Sequence, residues 1–305
     1  MSHTAHHEPI VWNGIVFEQL DPPQKYQVNP FPIILEAKEY CEAGDVTRTL
    51  DAVERGLTVE ALSIVDLYPV FLLACRTGPA ALVSELLVRG FEPTLLAARE
   101  AINGKNVEIL GLLKYKGWDH LGQSTKETVP GPLYLAVSKE DADRDVVQWF
   151  LDNGADPDRR CLIDKTALSY AVSHAPLDII ELLIEHVHRP QHGELLHSVA
   201  FRPTSMGDHA ALIELLLRRT PFGVNSLIYG GDVYSRALIA YTGAGTPLHF
   251  AALNDRPEVA SALINAGANP AILDDKGDCP IDIARRQNYG AVIEVLLRAE
   301  NQERI

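Results

Sequence analysis

One stretch of the sequence, residues 245–270, constrains the fold more than any other. Thr246 stands before Pro247, which is typical of a helix start, because the threonine hydroxyl can accept a backbone N–H and a proline at the first helical position has no N–H to leave unbonded. Apolar residues then recur at helical spacing in two runs separated by a break at 254–257. Gly267 is placed to end the second run in a left-handed turn. The stretch therefore predicts a pair of short helices.

Such a helix pair cannot bury a core alone, because its apolar stripes are narrow and partly made of alanine. It therefore predicts neighbours of the same kind, and the glycine that closes the second helix can be used to find them. The corresponding positions along the chain are Gly56, Gly90, Gly117, Gly154, Val187, Thr220, Gly267 and Glu300. The successive intervals are 34, 27, 37, 33, 33, 47 and 33 residues, which indicates an internal repeat.

These features resemble the ankyrin repeat family, whose period is about 33 residues. The Thr-Pro-Leu-His run at 246–249 is the family signature, and variants of it start at Gly131 and Thr166. The resemblance covers roughly residues 31 to 300 and implies about eight repeats, several of them degenerate. It implies an all-α ankyrin-repeat solenoid of helix-turn-helix units with short β-hairpin fingers.

Residues 1–30 do not fit the repeat, and we expect an N-terminal arm or cap there. Asn13–Gly14 lies between two apolar runs, and this dipeptide tolerates the left-handed positions of a type I′ turn, so a small hairpin is predicted. The aromatic residues of the arm can cover the apolar end of the stack, which every repeat fold must protect. Alternatively, the arm can fold over the groove of the stack and help to form a site.

A second departure, residues 221–245, lies inside the repeat domain of residues 31–300. The segment is longer than a normal finger, and it has β-favouring runs on both sides of Gly230. These runs predict one long finger insertion built as a hairpin. The chain ends in a polar tail, residues 301–305.

Charge and hydropathy argue against two classes of partner. The chain has 27 Lys and Arg against 41 Asp and Glu, a net charge of −14. Its basic residues occur in scattered pairs rather than a stripe, so we expect no nucleic-acid binding. No apolar run approaches the length needed to span a bilayer, and the N-terminus has no apolar segment of a signal peptide, so we expect no membrane contact. The sequence thus predicts an intracellular protein, cytoplasmic or nuclear.

The cysteines and histidines are interpreted structurally. Cys41 and Cys75 occupy equivalent places in adjacent repeats, about 10 Å apart, which exceeds the Cα separation of a disulfide, so free thiols are expected. Cys279 stands at a helix-capping position. The resemblance implies a role for His197 and His249, which is to tie a finger to its helix by hydrogen bonds. We assign no metal site and no cofactor, because no Cys or His spacing is typical of one.

The resemblance implies a protein–protein interaction module that holds a partner of unknown identity in the concave groove formed by the fingers and first helices. An alternative is an enzyme or small-molecule binder with a pocket under the 221–245 insertion and the arm. No Ser/His/Asp order, phosphate loop or carboxylate pair stands out, so no catalytic residue is assigned. Rigid aromatic side chains in a glycine-rich loop, with an arginine as charged anchor, are typical contact residues. The candidate partner-binding residues of the insertion and of the polar connection after repeat three are Trp118, His120, Tyr229, Tyr234, Arg236 and Tyr241.

Overall fold

The computed structural model describes residues 10–12, 15–17, 31–122, 129–187, 189–230, 232–238 and 243–302. Two short strands, β1 (Ile10–Trp12) and β2 (Ile15–Phe17), pair antiparallel with Trp12 opposite Ile15, which gives the hairpin predicted for the arm. Asn13 and Gly14 lie outside the described residues. The chain divides into two compact units, Met1–Trp118 and Asp119–Ile305.

In the first unit, residues 31–118 form three helix pairs. The helices are α1 (Pro32–Glu42), α2 (Val46–Thr58), α3 (Ile64–Thr77), α4 (Ala80–Val88), α5 (Leu95–Asn103) and α6 (Val107–Tyr115). The first helices α1, α3 and α5 pack side by side, and the second helices α2, α4 and α6 do the same. The core lies between these two layers.

Short polar side chains set where these helices begin. Asp45 accepts a hydrogen bond from the backbone N–H of Arg48 at the start of α2, with an N–O distance of 3.0 Å. Ser63 and Asp66 form a capping box at the start of α3. Because this box fixes the start at Ile64, Pro69 lies inside the helix and does not mark its beginning.

The second unit contains five further helix pairs and one extra helix within the described residues. The helices are α7 (Leu133–Val137), α8 (Arg144–Asp152), α9 (Ala167–His174), α10 (Leu177–Val187), α11 (Leu195–Ser198), α12 (His209–Arg219), α13 (Val233–Leu238), α14 (Pro247–Leu253), α15 (Pro257–Asn265), α16 (Pro280–Gln287) and α17 (Gly290–Gln302). The first helices again pack in series, from α7 through α9, α11 and α14 to α16. Because α12 packs on α15, the insertion that carries α13 does not interrupt the stack. The predicted all-α stack of repeat units is confirmed.

The glycine positions used to find the repeats mostly end a second helix. Gly90, Gly117, Gly154 and Gly267 have φ angles of +96°, +99°, +87° and +94°, the left-handed region where glycine has no steric cost. Gly56 differs, because α2 continues to Thr58. A Cβ at Gly56 would lie 3.2 Å from Leu67 Cδ2, so this glycine instead lets α2 approach α3 closely.

The two signature histidines link successive repeats, as predicted. The backbone N–H of Thr246 donates to Nδ1 of His249 at 3.0 Å, so the ring proton is on Nε2, which lies 3.1 Å from the carbonyl oxygen of Asp278. Nε2 of His197 lies 3.1 Å from the carbonyl oxygen of Ser226. Each ring thus connects a first helix to the finger that follows its repeat.

The predicted β-structure of the fingers is not seen. Within the described ranges, the chain between repeats forms turns, such as the one closed by the Asp274 N–H and the Asp278 carbonyl oxygen at 2.8 Å. The predicted long hairpin in the insertion is also wrong, because Val233–Leu238 is helix α13. The carboxylate of Asp232 accepts the backbone N–H of Ser235 at 2.8 Å, which caps a helix where the side-chain pattern alone favoured a strand.

No helix among the described residues combines the length and the apolar character needed to cross a membrane. All four cysteines are free thiols, as expected, and Cys41, Cys75 and Cys161 are buried. Burial raises the pKa of Cys41 to about 11, which makes this thiol unreactive.

Replacing Leu263 by alanine should lower the free energy of unfolding by about 2–5 kcal/mol, because its fully buried side chain lies on α15 and the substitution leaves a cavity. Urea unfolding measures the change. Leu297→Ala on α17 is the control, since that side chain is 38% exposed and its loss should cost much less. Equal effects of the two substitutions would contradict the helix register described here.

Candidate functional site

A groove of about 320 Å³ crosses the exposed faces of α1, α3 and α5 in the first unit. It is named here the first-helix groove, and its lining residues are Lys38, Glu42, Tyr68, Pro69, Leu72, Leu73, Arg76, Leu96 and Glu100. On each helix these residues are four apart, as in Tyr68, Leu72 and Arg76, so they share one helix face. The groove is therefore formed by equivalent faces of three successive first helices.

Helix α3 is apolar on two opposite faces. Its inner face is fully buried and consists of Leu67, Val70, Phe71, Ala74 and Cys75. Its outer face carries Tyr68, Leu72 and Leu73, which are half-buried, and ends at the exposed Arg76. A helix that is apolar all round is normally buried on all sides. The outer face of α3 thus provides apolar surface that the stack itself does not use.

Tyr68 is held firmly at one end of the groove. Its hydroxyl donates to the carbonyl oxygen of Glu92 at 2.9 Å and lies 2.5 Å from Thr94 Oγ1. Its ring centroid lies 5.4 Å from that of Phe71, and its ring stacks on that of Phe91 with the centroids 6.5 Å apart. Burial raises the pKa of the Tyr68 hydroxyl, so it stays neutral. The aromatic wall of the groove is therefore preorganised.

The charged residues of the groove lie towards the C-terminal ends of its helices. Two cations, Lys38 and Arg76, and two carboxylates, Glu42 and Glu100, line it, so the lining is neutral in a chain of net charge −14. Glu100 lies 3.5 Å from Arg99 and is thereby paired. Among the described residues, Lys38 and Arg76 make no ion pair.

The sequence interpretation did not identify the first-helix groove. Helical periodicity marks both faces of α3 as apolar and cannot tell which one the stack buries. A signal was nevertheless present, because residues 67–75 contain no charged side chain over more than two helical turns. Such a run is apolar on every face of α3, and the structure buries only one of those faces completely.

The two residues predicted in the connection after repeat three lie on different units. The Trp118 side chain is 7% exposed, so its ring is not available to a partner. His120 is half-buried, and its Nε2 lies 3.0 Å from the carbonyl oxygen of Asn153. His120 and Arg159 also line a cavity of about 40 Å³ in the second unit, which has room for little more than water.

The residues predicted in the insertion divide into buried and exposed ones. Tyr229 is 2% exposed, and its backbone N–H donates to Glu194 Oε1 at 2.7 Å. Tyr234 on α13 is 52% exposed. The exposed Arg236 lies 3.9 Å from Asp275. Tyr241 lies outside the described residues. Of the predicted contact residues in the insertion, Tyr234 and Arg236 are the ones that the structure places at the surface.

A cluster of charged side chains, in which Asp164 is buried, fixes the insertion to the fingers of repeats five and six. Arg160 pairs with Asp232, the cap of α13, and lies 3.6 Å from Asp164. Nδ1 of His192 lies 3.2 Å from the same Asp164 carboxylate. Burial raises the pKa of Asp164, because few water molecules can solvate its charge. The insertion is thus anchored by ion pairs and hydrogen bonds in addition to the buried Ile228 and Tyr229.

Lys165 lies at the centre of this cluster. Its side chain is buried, and its ammonium group lies 6.0 Å from the ring centroid of Phe201. Burial lowers the pKa of Lys165 to about 7, while Cys161 and Glu194 act in the opposite direction. Within the described ranges, no group of three His, Cys, Asp or Glu side chains is arranged to hold a metal ion.

Comparison with known proteins identifies two parts of the chain. A family model described as ankyrin repeats (many copies) matches residues 133–184, and one described as ankyrin repeat matches residues 245–275. NF-kappa-B inhibitor alpha of Sus scrofa is 35% identical over 60 residues, and that of Homo sapiens is 39% identical over 54 residues. These alignments cover 20% and 18% of this chain and 19% and 17% of the relatives, so the chain spans less than a fifth of the curated relatives it matches.

The pKa of Lys165 predicts a pH dependence of stability. Its pKa is about 7 in the folded protein against 10.5 for an ordinary lysine, so the folded state binds fewer protons than the unfolded state between these values. The free energy of unfolding should therefore rise from about pH 7 to about pH 10, and the cost of burying the charge is fully present below pH 7.

Lys165→Met removes this titration, so its free energy of unfolding should rise less over the same pH range. Urea unfolding of both proteins at about pH 7 and about pH 10 measures the difference, in which the other titrating groups largely cancel. Identical pH profiles for the two proteins would show that Lys165 is not buried as described.

Proposed function

We propose that this chain, which is an ankyrin repeat protein, acts as a protein–protein interaction module and binds a segment of its partner in the first-helix groove. The observation that carries this proposal is the outer face of α3, where Tyr68, Leu72 and Leu73 form apolar surface that the repeat stack does not bury. Contiguous apolar surface bordered by charges is typical of interaction sites. Its preorganised aromatic wall reduces the entropy lost on binding.

The shape of the groove favours a peptide segment over a compact small molecule. The groove extends across the first helices α1, α3 and α5 instead of closing into a pocket. Its volume of about 320 Å³ accommodates a few side chains. Neither the groove nor the small cavity near His120 is lined by a residue of the 221–245 insertion. Among the described residues, these two cavities therefore do not support a pocket under the insertion.

The relatives support this mode of action without naming the partner. NF-kappa-B inhibitor alpha, by its name, acts on another protein. The alignments cover only 19% and 17% of those relatives. We therefore infer from them only that the ankyrin repeats of this chain bind a protein. The partner of this chain stays unidentified.

A second contact surface is proposed at α13 in the insertion. Val233 is 86% exposed and Tyr234 is 52% exposed on this helix. The helix is held in place by the Arg160–Asp232 ion pair and by the hydrogen bond from Tyr229 to Glu194. Exposed apolar side chains on an anchored element are well suited to contact a partner, with Arg236 beside them.

Leu72→Glu should abolish capture of the partners that bind in the first-helix groove while leaving the protein folded, because it places a charge on the half-buried outer face of α3. The wild-type chain and the variant are immobilised, and bound proteins are quantified by mass spectrometry. Val88→Glu is the matched control, since Val88 is an apolar residue of the same unit, is 68% exposed and lies outside the groove. Equal sets of proteins captured by all three baits, with unchanged melting temperatures, would contradict binding in the groove.

Tyr234→Ser tests the second surface in the same assay. Its melting temperature should stay close to that of the wild type, because the side chain is exposed, and a subset of captured proteins should be reduced several-fold by loss of an aromatic contact. Leu227→Ser, at 36% exposure and also in the insertion but outside α13, serves as the control. If Tyr234→Ser captures the wild-type set in full, α13 is not a contact surface.

A further inference from the structure

We infer that the segment bound in the first-helix groove carries a carboxylate next to its apolar residues and that Arg76 binds this carboxylate. The inference rests on the proposed function and specifies the chemistry of the partner at the same site. Its basis is the contrast between Arg76 and the other arginines of the first unit.

Residues 31–118 contain five arginines, and four of them are paired with carboxylates of the chain. The shortest nitrogen–oxygen distances are 3.5 Å for Arg48 to Asp45, 2.6 Å for Arg55 to Glu36, 2.6 Å for Arg89 to Glu85 and 3.5 Å for Arg99 to Glu100. Among the described residues, Arg76 makes no ion pair and no side-chain hydrogen bond. The arginine without a carboxylate is thus the one that lines the groove.

Arg76 projects from a fixed point of the backbone. It lies in the last turn of α3, and its carbonyl oxygen is so close to Gly104 that a Cβ on that glycine would overlap it. Leu72 precedes Arg76 by four residues, which places the Cα of Arg76 about one helical turn, or about 5 Å, beyond that of Leu72 on the same helix face. A ligand seated on Leu72 therefore reaches Arg76 with a group one or two residues away along an extended chain.

The surrounding charges favour a carboxylate over a phosphate. Lys38 is a second cation without an ion pair within the described chain, but Glu42 also lines the groove without one. Glu100 is partly neutralised by Arg99 at 3.5 Å. A dianion would be repelled by the two glutamates, whereas a single negative charge is balanced by Arg76. A guanidinium also binds a carboxylate through two parallel hydrogen bonds, which fixes its orientation.

The test is a selection of random linear peptides displayed on phage, with the full wild-type chain as bait and Leu72→Glu as counter-bait. Recovered peptides are synthesised with a fluorophore, and their dissociation constants are measured by anisotropy. The proteins compared are wild type, Arg76→Gln and Arg48→Gln, where Arg48 is an exposed arginine outside the groove. Thermal unfolding of each variant establishes that it is folded.

We expect recovered peptides to carry Asp or Glu beside apolar residues and to bind Arg76→Gln about tenfold more weakly, with no change for Arg48→Gln. Replacing the acidic residue of the peptide by its amide should weaken binding to wild type and have little further effect on Arg76→Gln. Peptides that need Leu72 but lack an acidic residue, or that bind Arg76→Gln as tightly as wild type, overturn this inference and leave groove binding intact. If no recovered peptide depends on Leu72, the proposed function fails and the inference fails with it.

Discussion

The structure depends on one constraint, which is that a single helix pair has too little apolar surface to fold alone. Each pair is stabilised by burying its stripes against the next pair, as Leu67 and Phe71 of α3 do between α1 and α5. The stack buries one face of α3 completely, whereas it buries every residue from Pro247 to Ala252 of α14. The opposite face of α3 carries Leu72 and Leu73, which are only half-buried. The proposed binding residues of α3 and the residues that hold the stack together therefore lie on opposite faces of the same helix.

The turns between repeats hold the stack together by polar contacts. His249 and His197 each link a first helix to the following finger. Burial lowers the pKa of His249, so its ring stays neutral and Nδ1 can accept the backbone N–H of Thr246. Carboxylates hold the insertion in a similar way. Glu194 accepts the backbone N–H of Tyr229, and Asp232 caps α13. The insertion buries Ile228 and Tyr229 as well, while Val233 and Tyr234 on α13 stay exposed.

Local signals in the sequence were sufficient to predict the repeats, but not what lies between them. Left-handed glycines such as Gly267 and caps such as Asp45 act within a few residues, so their effect can be read directly from the sequence. The helix α13 was missed although its Asp232 cap is local, three residues from Ser235, because the residues after the cap favour a strand. The Arg160–Asp232 ion pair that anchors the helix joins residues 72 positions apart, so the sequence does not show it. The first-helix groove was missed for a related reason, since the buried face of α3 is chosen by its neighbours.

The net charge of the chain and the local charge of the groove act over different distances. The net charge of −14 opposes the approach of an acidic protein, but at physiological ionic strength this field decays within about 8 Å. Arg76 acts at contact distance, where solvent screening is weak once the apolar part of the groove is covered. A strongly acidic segment would be repelled before it reached Arg76. The partner segment that fits both conditions is apolar, close to neutral overall, and carries a single carboxylate at one end of its apolar residues.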